Sequence, residues 1–88
     1  DRELPDNPKI RFLTAGLLLA RGRPAEAVPG LEWVVERQPN HLSARLNLGE
    51  AYLALSRREQ ALSQYRAVAA LDPSNALAQR RLTELGRR

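Results

Sequence analysis

The groups that could do chemistry in this chain of 88 residues are few and do not converge. His41 is the lone histidine, and cysteine is absent, so no second nitrogen or sulfur ligand exists to complete a zinc site. A histidine following Pro39-Asn40 reads instead as a helix cap or a solvated turn residue. Glu26, Glu32, Glu36 and Glu59 are scattered over outer helix faces, so no two carboxylates can share acid and base work. Gly16, Gly22 and Gly30 fit no phosphate-loop spacing and follow no strand. Nothing resembles an activated nucleophile. The sequence predicts no catalytic residue, no metal, no cofactor and a protein that is not an enzyme.

What remains is binding chemistry. The net charge is +4, and every basic residue except Lys9 is an arginine. Arg37, Arg45, Arg57, Arg58 and Arg66 fall on polar faces opposite the apolar stripe, as on a solvated surface. Arg80, Arg81, Arg87 and Arg88 form a local excess at the end. Arginine forks match phosphates, so a basic surface for nucleic acid or another anionic surface is one reading. Trp33, the single tryptophan, lies off the stripe of Leu31, Val34 and Val35. It is expected to point outward or to an edge, where it could anchor a second interface.

The elements that position these groups come from an internal repeat. Ala27 and Ala61, Leu31 and Tyr65, Val34 and Val68, and Pro39 and Pro73 recur in order at one constant offset. Leu18 with Tyr52 and Arg11 with Arg45 keep the same offset. A unit of this length made of two helical patterns cannot bury its apolar face alone and must stack on a neighbour. The first helix runs from about Pro8, capped by Asn7, to Ala20, and Gly22 takes a left-handed turn. Pro24 opens a second helix with Ala27, Val28, Leu31, Val34 and Val35 on one face. A third runs from about Leu42 to Leu55, and the turn is Ser56-Arg57-Arg58. The fourth carries Ala61, Leu62, Tyr65, Val68 and Leu71 to Pro73, and Ser74-Asn75 caps a fifth. Pro29 and Gly30 interrupt the second helix, and a bend is expected there.

Composition sets further bounds. The apolar fraction of 43% supports a globular core in one small domain. The longest apolar run, Phe12 to Ala20, is too short to span a bilayer. Its faint likeness to a secretory signal gives way to the repeat, in which Leu13 to Ala20 has a helical twin in Asn47 to Ala54. The chain reads as soluble, cytoplasmic or periplasmic, and as a segment of something longer. Abundant Arg, Leu and Ala with almost no Lys point to a GC-rich bacterial genome.

Leu48-Gly49-x-x-Tyr52, Ala61-x-x-x-Tyr65, Val68 and Leu71-Asp72-Pro73 resemble a tetratricopeptide repeat. The family's opening aromatic is Arg45 here. The first unit keeps Ala27, Leu31, Val34 and Pro39 but has Thr14-Ala15 and Leu18 at the other motif places. The resemblance implies an all-α, right-handed α-solenoid. Residues 1–7 are a lead-in, 8–41 the first repeat and 42–75 the second. Residues 76–88 are a capping helix or the start of a third repeat. It also implies a concave groove lined by the first helix of each pair. By helical position these are Lys9, Phe12, Leu13, Gly16 and Leu19; Ser43, Leu46, Asn47, Glu50 and Leu53; and Leu77, Arg80, Arg81 and Glu84. Asn47 and Arg81 match two places of the clamp by which some members hold a terminal carboxylate. Phe12, Gly16 and Leu77 occupy the others and cannot bind one.

The leading expectation is a scaffold or adaptor segment that binds a peptide or helical segment of a protein partner. Nucleic acid ranks lower, because the acids are interleaved with the arginines and Phe12 is the groove's only aromatic. Self-association through the groove or the outer face of the fifth helix is the third reading.

Overall fold

The computed structural model describes residues 7–86. It contains the helices α1 (Pro8–Ala20), α2 (Pro24–Arg37), α3 (Leu42–Ala54), α4 (Arg58–Leu71) and α5 (Ala76–Gly86), with no strand among the described residues. Each helix packs on the next in chain order, and α1 also touches α3. The result is an elongated all-α solenoid of helix pairs, 46 × 24 × 17 Å. Arg87 and Arg88, and all of the expected lead-in except Asn7, lie outside the described residues.

The helix starts repeat with the sequence. Asn7, His41 and Asn75 are spaced by the same offset as Ala27 and Ala61, and each caps a helix. The Asn7 side chain accepts from the Lys9 and Ile10 amides at 2.8 and 3.3 Å. His41 Nδ1 accepts from the Ala44 amide at 3.1 Å, and Asn75 Oδ1 from the Ala78 amide at 2.9 Å. Each bond satisfies an amide that has no partner inside its helix. His41 is therefore a cap, and its Nδ1 carries no proton in this arrangement.

The turns repeat too. Gly22 has φ 76°, and its counterpart one repeat later, Ser56, has φ 62°. Glycine adopts this left-handed geometry without penalty, whereas serine must hold its Cβ against the next carbonyl. α2 runs as a helix straight through Pro29. Both Pro29 and Ala25, whose carbonyl loses its amide donor there, are exposed, so water can satisfy the freed oxygen.

The core is aliphatic and small-residue, with two aromatics, Tyr52 and Tyr65, of which Tyr65 is fully buried. Ala27, Leu31, Val34, Ala44, Ala51, Ala61, Tyr65 and Val68 are all completely buried. Gly49 explains how Tyr65 fits. A Cβ added at Gly49 would stand 2.8 Å from the Tyr65 ring, so that ring lies directly on the backbone of α3. The helix pair closes to this distance only because position 49 has no side chain.

Candidate binding groove

The first helices of the pairs adjoin one another along one side of the stack. α1 meets α3 where the Phe12 and His41 rings approach, with centroids 4.7 Å apart. α3 meets α5 through an ion pair. Arg81 Nε donates to one Glu50 carboxylate oxygen at 2.8 Å and its Nη2 to the other at 3.0 Å. The remaining Arg81 nitrogen donates to Glu84 at 3.0 Å. Glu50 also receives the Tyr65 hydroxyl from α4. One carboxylate thus ties three helices together.

This cluster follows from burying a tyrosine. The Tyr65 ring is in the core, so its hydroxyl needs a partner. Glu50 supplies one and is itself half-buried, so it needs a cation, which Arg81 supplies as a bidentate fork. The Arg81 guanidinium holds the Glu50 carboxyl below the usual carboxylate range, against partial burial and with help from Tyr65. Burial, and then the Glu50 carboxylate, pushes the Tyr65 hydroxyl well above its ordinary value. Hydrogen bonding to Glu50 raises Arg81 in turn.

The junction of α1 with α3 is built differently. One repeat before Glu50 stands Gly16, and one repeat before Arg81 stands Asn47. A Cβ at Gly16 would stand 3.8 Å from the Asn47 side-chain nitrogen, an ordinary packing distance, so the two positions lie against each other with no charge between them. Around this contact Phe12, Leu19, Leu46 and Leu53 are half-buried on the core, while Leu13 is 58% exposed. Lys9 and Ser43 are exposed at one end. At the α5 end Leu77 is half-buried and Arg80 and Glu84 are exposed.

The outer arginines are more engaged than the sequence suggests. Trp33 is half-buried, with the guanidinium of Arg11 4.5 Å and that of Arg37 4.0 Å from its ring centroid. Such stacking replaces water against the ring with cations drawn to the π cloud. The guanidiniums of Arg11 and Arg37 thus lie over the Trp33 ring at this edge of the stack. Arg45 donates from Nε to the Pro39 carbonyl at 2.7 Å and from Nη1 to Gln64 at 3.0 Å. Arg58 reaches the Leu85 carbonyl on α5. Of the arginines assigned to solvated faces, Arg37, Arg45 and Arg58 thus have packing or bonding roles. Their side chains are long enough to cover apolar surface while the guanidinium reaches a carbonyl or a ring.

Sequence reading missed the Glu50–Arg81 pair, the Arg11–Trp33–Arg37 stack and the left-handed Ser56. The repeat offset carried a signal for the third, because Gly22 aligns with Ser56. The second had no signal in the repeat, since Ala67 replaces Trp33 in the second unit.

A stack of helix pairs with adjoining first helices defines a helical-repeat scaffold. A family model described as a tetratricopeptide repeat matches residues 12–76 and matches again over 46–86. The chain belongs to the tetratricopeptide repeat family. Protein interaction is accordingly its class of function, on a family that is a repeat scaffold. The chain is 35% identical over 78 residues to the human protein "FK506-binding protein-like", in a match that covers 89% of this chain and 22% of that protein. The rat protein of the same name is 35% identical over 81 residues, covering 89% and 23%. The chain therefore spans under a quarter of the length of these curated relatives. Both are mammalian and lend no support to the bacterial source suggested by composition. Among the described residues, no helix is long and apolar enough to cross a membrane.

Proposed function

We propose that the chain holds a peptide or helical segment of a protein partner along the concave side of α1, α3 and α5. The observation that carries this reading is the uncharged, partly exposed apolar junction between α1 and α3. There Asn47 lies beside Gly16, among the partly exposed Phe12, Leu13 and Leu46. The apolar groups offer burial, at roughly 25 cal/mol per Å² covered. The Asn47 amide offers a donor and an acceptor for a partner's backbone. Arg81 is held by Glu50 and Glu84, so it supports the groove from within, and Arg80 and Lys9 are the cations left to meet an acidic side chain. Protein ranks ahead of nucleic acid because Arg37, Arg45, Arg58 and Arg81 already have partners inside the fold. The chain acts as an adaptor segment within a longer protein.

A peptide selected on the isotope-labelled chain from a displayed random library tests this reading. Its titration should move the amide resonances of Leu13, Gly16, Leu46 and Asn47. Shifts confined to Trp33 and its neighbours would move the site to the outer face.

A further inference from the structure

The three helices that line the concave side start on different caps. Asn7, His41 and Asn75 share one register of the repeat, and the acceptor is an amide oxygen at α1 and α5 but a ring nitrogen at α3. An amide cap does not titrate, whereas an imidazole takes a second proton between about pH 5 and 8. His41 is the lone histidine and cysteine is absent, so no other side chain of ordinary titration changes charge in that span.

Two contacts meet in this one ring. Its Nδ1 accepts from the Ala44 amide at 3.1 Å, and the ring lies tilted at 47° against Phe12, with 4.7 Å between centroids. The first contact ties down the opening turn of α3, just ahead of Leu46 and Asn47. The second is a place where α1 meets α3.

A second proton on the ring lands on Nδ1, the atom that accepts. Both ring nitrogens are then donors, so no rotation of the ring returns an acceptor to Ala44. The charged ring would also face the positive end of α3. The charged groups on the elements around it are Lys9 and Arg11 on α1, Glu36 and Arg37 at the end of α2, and Arg45 on α3. Glu36 is paired with Arg37 at 3.5 Å. α4, packed on α3, is followed by Asp72, which accepts from the Ser74 hydroxyl. Among the described residues, therefore, no carboxylate is paired with the ring, and the groups beside it are mostly cations.

We propose that His41 makes the groove acid-sensitive. While the ring is neutral it holds the start of α3 against Phe12, and the partner's segment is bound. As pH falls through the imidazole range the cap opens, the ring leaves Phe12 and binding weakens. The cap exists only with the neutral ring, so its contribution is present at the alkaline end of the range and lost at the acid end. This regulation rests on the groove reading above.

The test starts with the free, isotope-labelled chain, taken from about pH 7.5 to about pH 5.5, a span in which carboxylates stay ionised. The Ala44 amide and Phe12 ring resonances should shift in step with the His41 ring protons. Hydrogen exchange at Ala44, corrected for its intrinsic pH dependence, should quicken roughly fivefold, the equilibrium shift that one lost cap represents. In His41→Asn, which carries the kind of cap used at α1 and α5, these signals should stay still. The affinity of a histidine-free, display-selected peptide should fall roughly fivefold over the same span in wild type, and by less than about twofold in His41→Asn. An Ala44 amide indifferent to the ring's titration, a Phe12 contact that survives it, or groove binding equal at both ends overturns the regulation alone. A peptide that moves only Trp33 and its neighbours at the neutral end overturns the groove reading and this regulation with it.

Discussion

In the second helix pair a tyrosine ring lies on a glycine; in the first, a leucine and an alanine hold the same two places. Tyr65 and Gly49 align with Leu31 and Ala15 at the repeat offset, and all four are buried. The larger side chain is matched by the smaller partner in each pair, so both interfaces fill. The difference that remains is the tyrosine hydroxyl. It requires Glu50, which requires Arg81, and together they occupy the junction of α3 with α5. Leu31 requires nothing, so Gly16 and Asn47 leave the junction of α1 with α3 free of charge. One choice in the core thus determines which junction of first helices carries a charged network and which carries none.

Removing the tyrosine should have the largest effect. Tyr65→Ala is expected to cost on the order of 3 kcal/mol, as large-to-small core changes do, and more than Leu31→Ala in the first pair. Urea denaturation would measure both, and a shift of under a couple of degrees in melting temperature for Tyr65→Ala would remove Tyr65 from the core. Gly49→Ala comes next, at about 2 kcal/mol, because the methyl must displace a ring already touching the backbone. Its twin change, Ala15→Gly, should cost only the ~1 kcal/mol of helix propensity.

Glu50→Gln should cost about 1 kcal/mol, discounted because the Arg81 and Glu50 side chains are 27% and 30% exposed. Leu85, whose carbonyl is held by Arg58, should keep α5 docked in that variant. The same network sets the pH response. Glu50 titrates below its ordinary 4.5 in the fold, chiefly through Arg81, so its contribution is present above 4.5 and fades as pH falls through the lowered value. Tyr52, bonded to Glu32, is pushed up to about 12 by burial and then by that carboxylate. Its folded value lies above the ordinary 10, so its contribution is full below pH 10 and is lost as pH rises through 12. Absorbance at tyrosinate wavelengths should show no ionisation near pH 10 while the chain stays folded. Ionisation of either tyrosine at pH 10 in the folded chain would place its hydroxyl in water.

The smallest effect lies in the turns. Ser56→Gly should stabilise by about 0.5 kcal/mol, and Gly22→Ala should destabilise by about 1 kcal/mol, because both positions are left-handed.

The helices were readable because their signals are local. Proline at the first turn of α1 and α2, asparagine caps, the left-handed Gly22 and the helical apolar spacing each act within a few residues. The groove was readable only as positions on helix faces. That Arg81 is already held depends on Glu50, far away in the chain, and on a hydroxyl from a third helix. The cover on Trp33 depends likewise on Arg11, from the helix before. Composition hinted at free arginines, yet their long side chains reach carbonyls and rings that no local pattern specifies.

The central claim is that the uncharged apolar junction between α1 and α3 receives the partner. The measurement that tests it most directly is the affinity of a display-selected peptide for Phe12→Glu with Leu46→Glu, compared with wild type. Circular dichroism must first show the variant folded, which the half-exposure of both residues allows. The account predicts binding at least tenfold weaker, because two buried carboxylates would face the peptide's apolar side chains. Wild-type affinity in the folded variant would contradict it and move the site from the concave side to the face around Trp33.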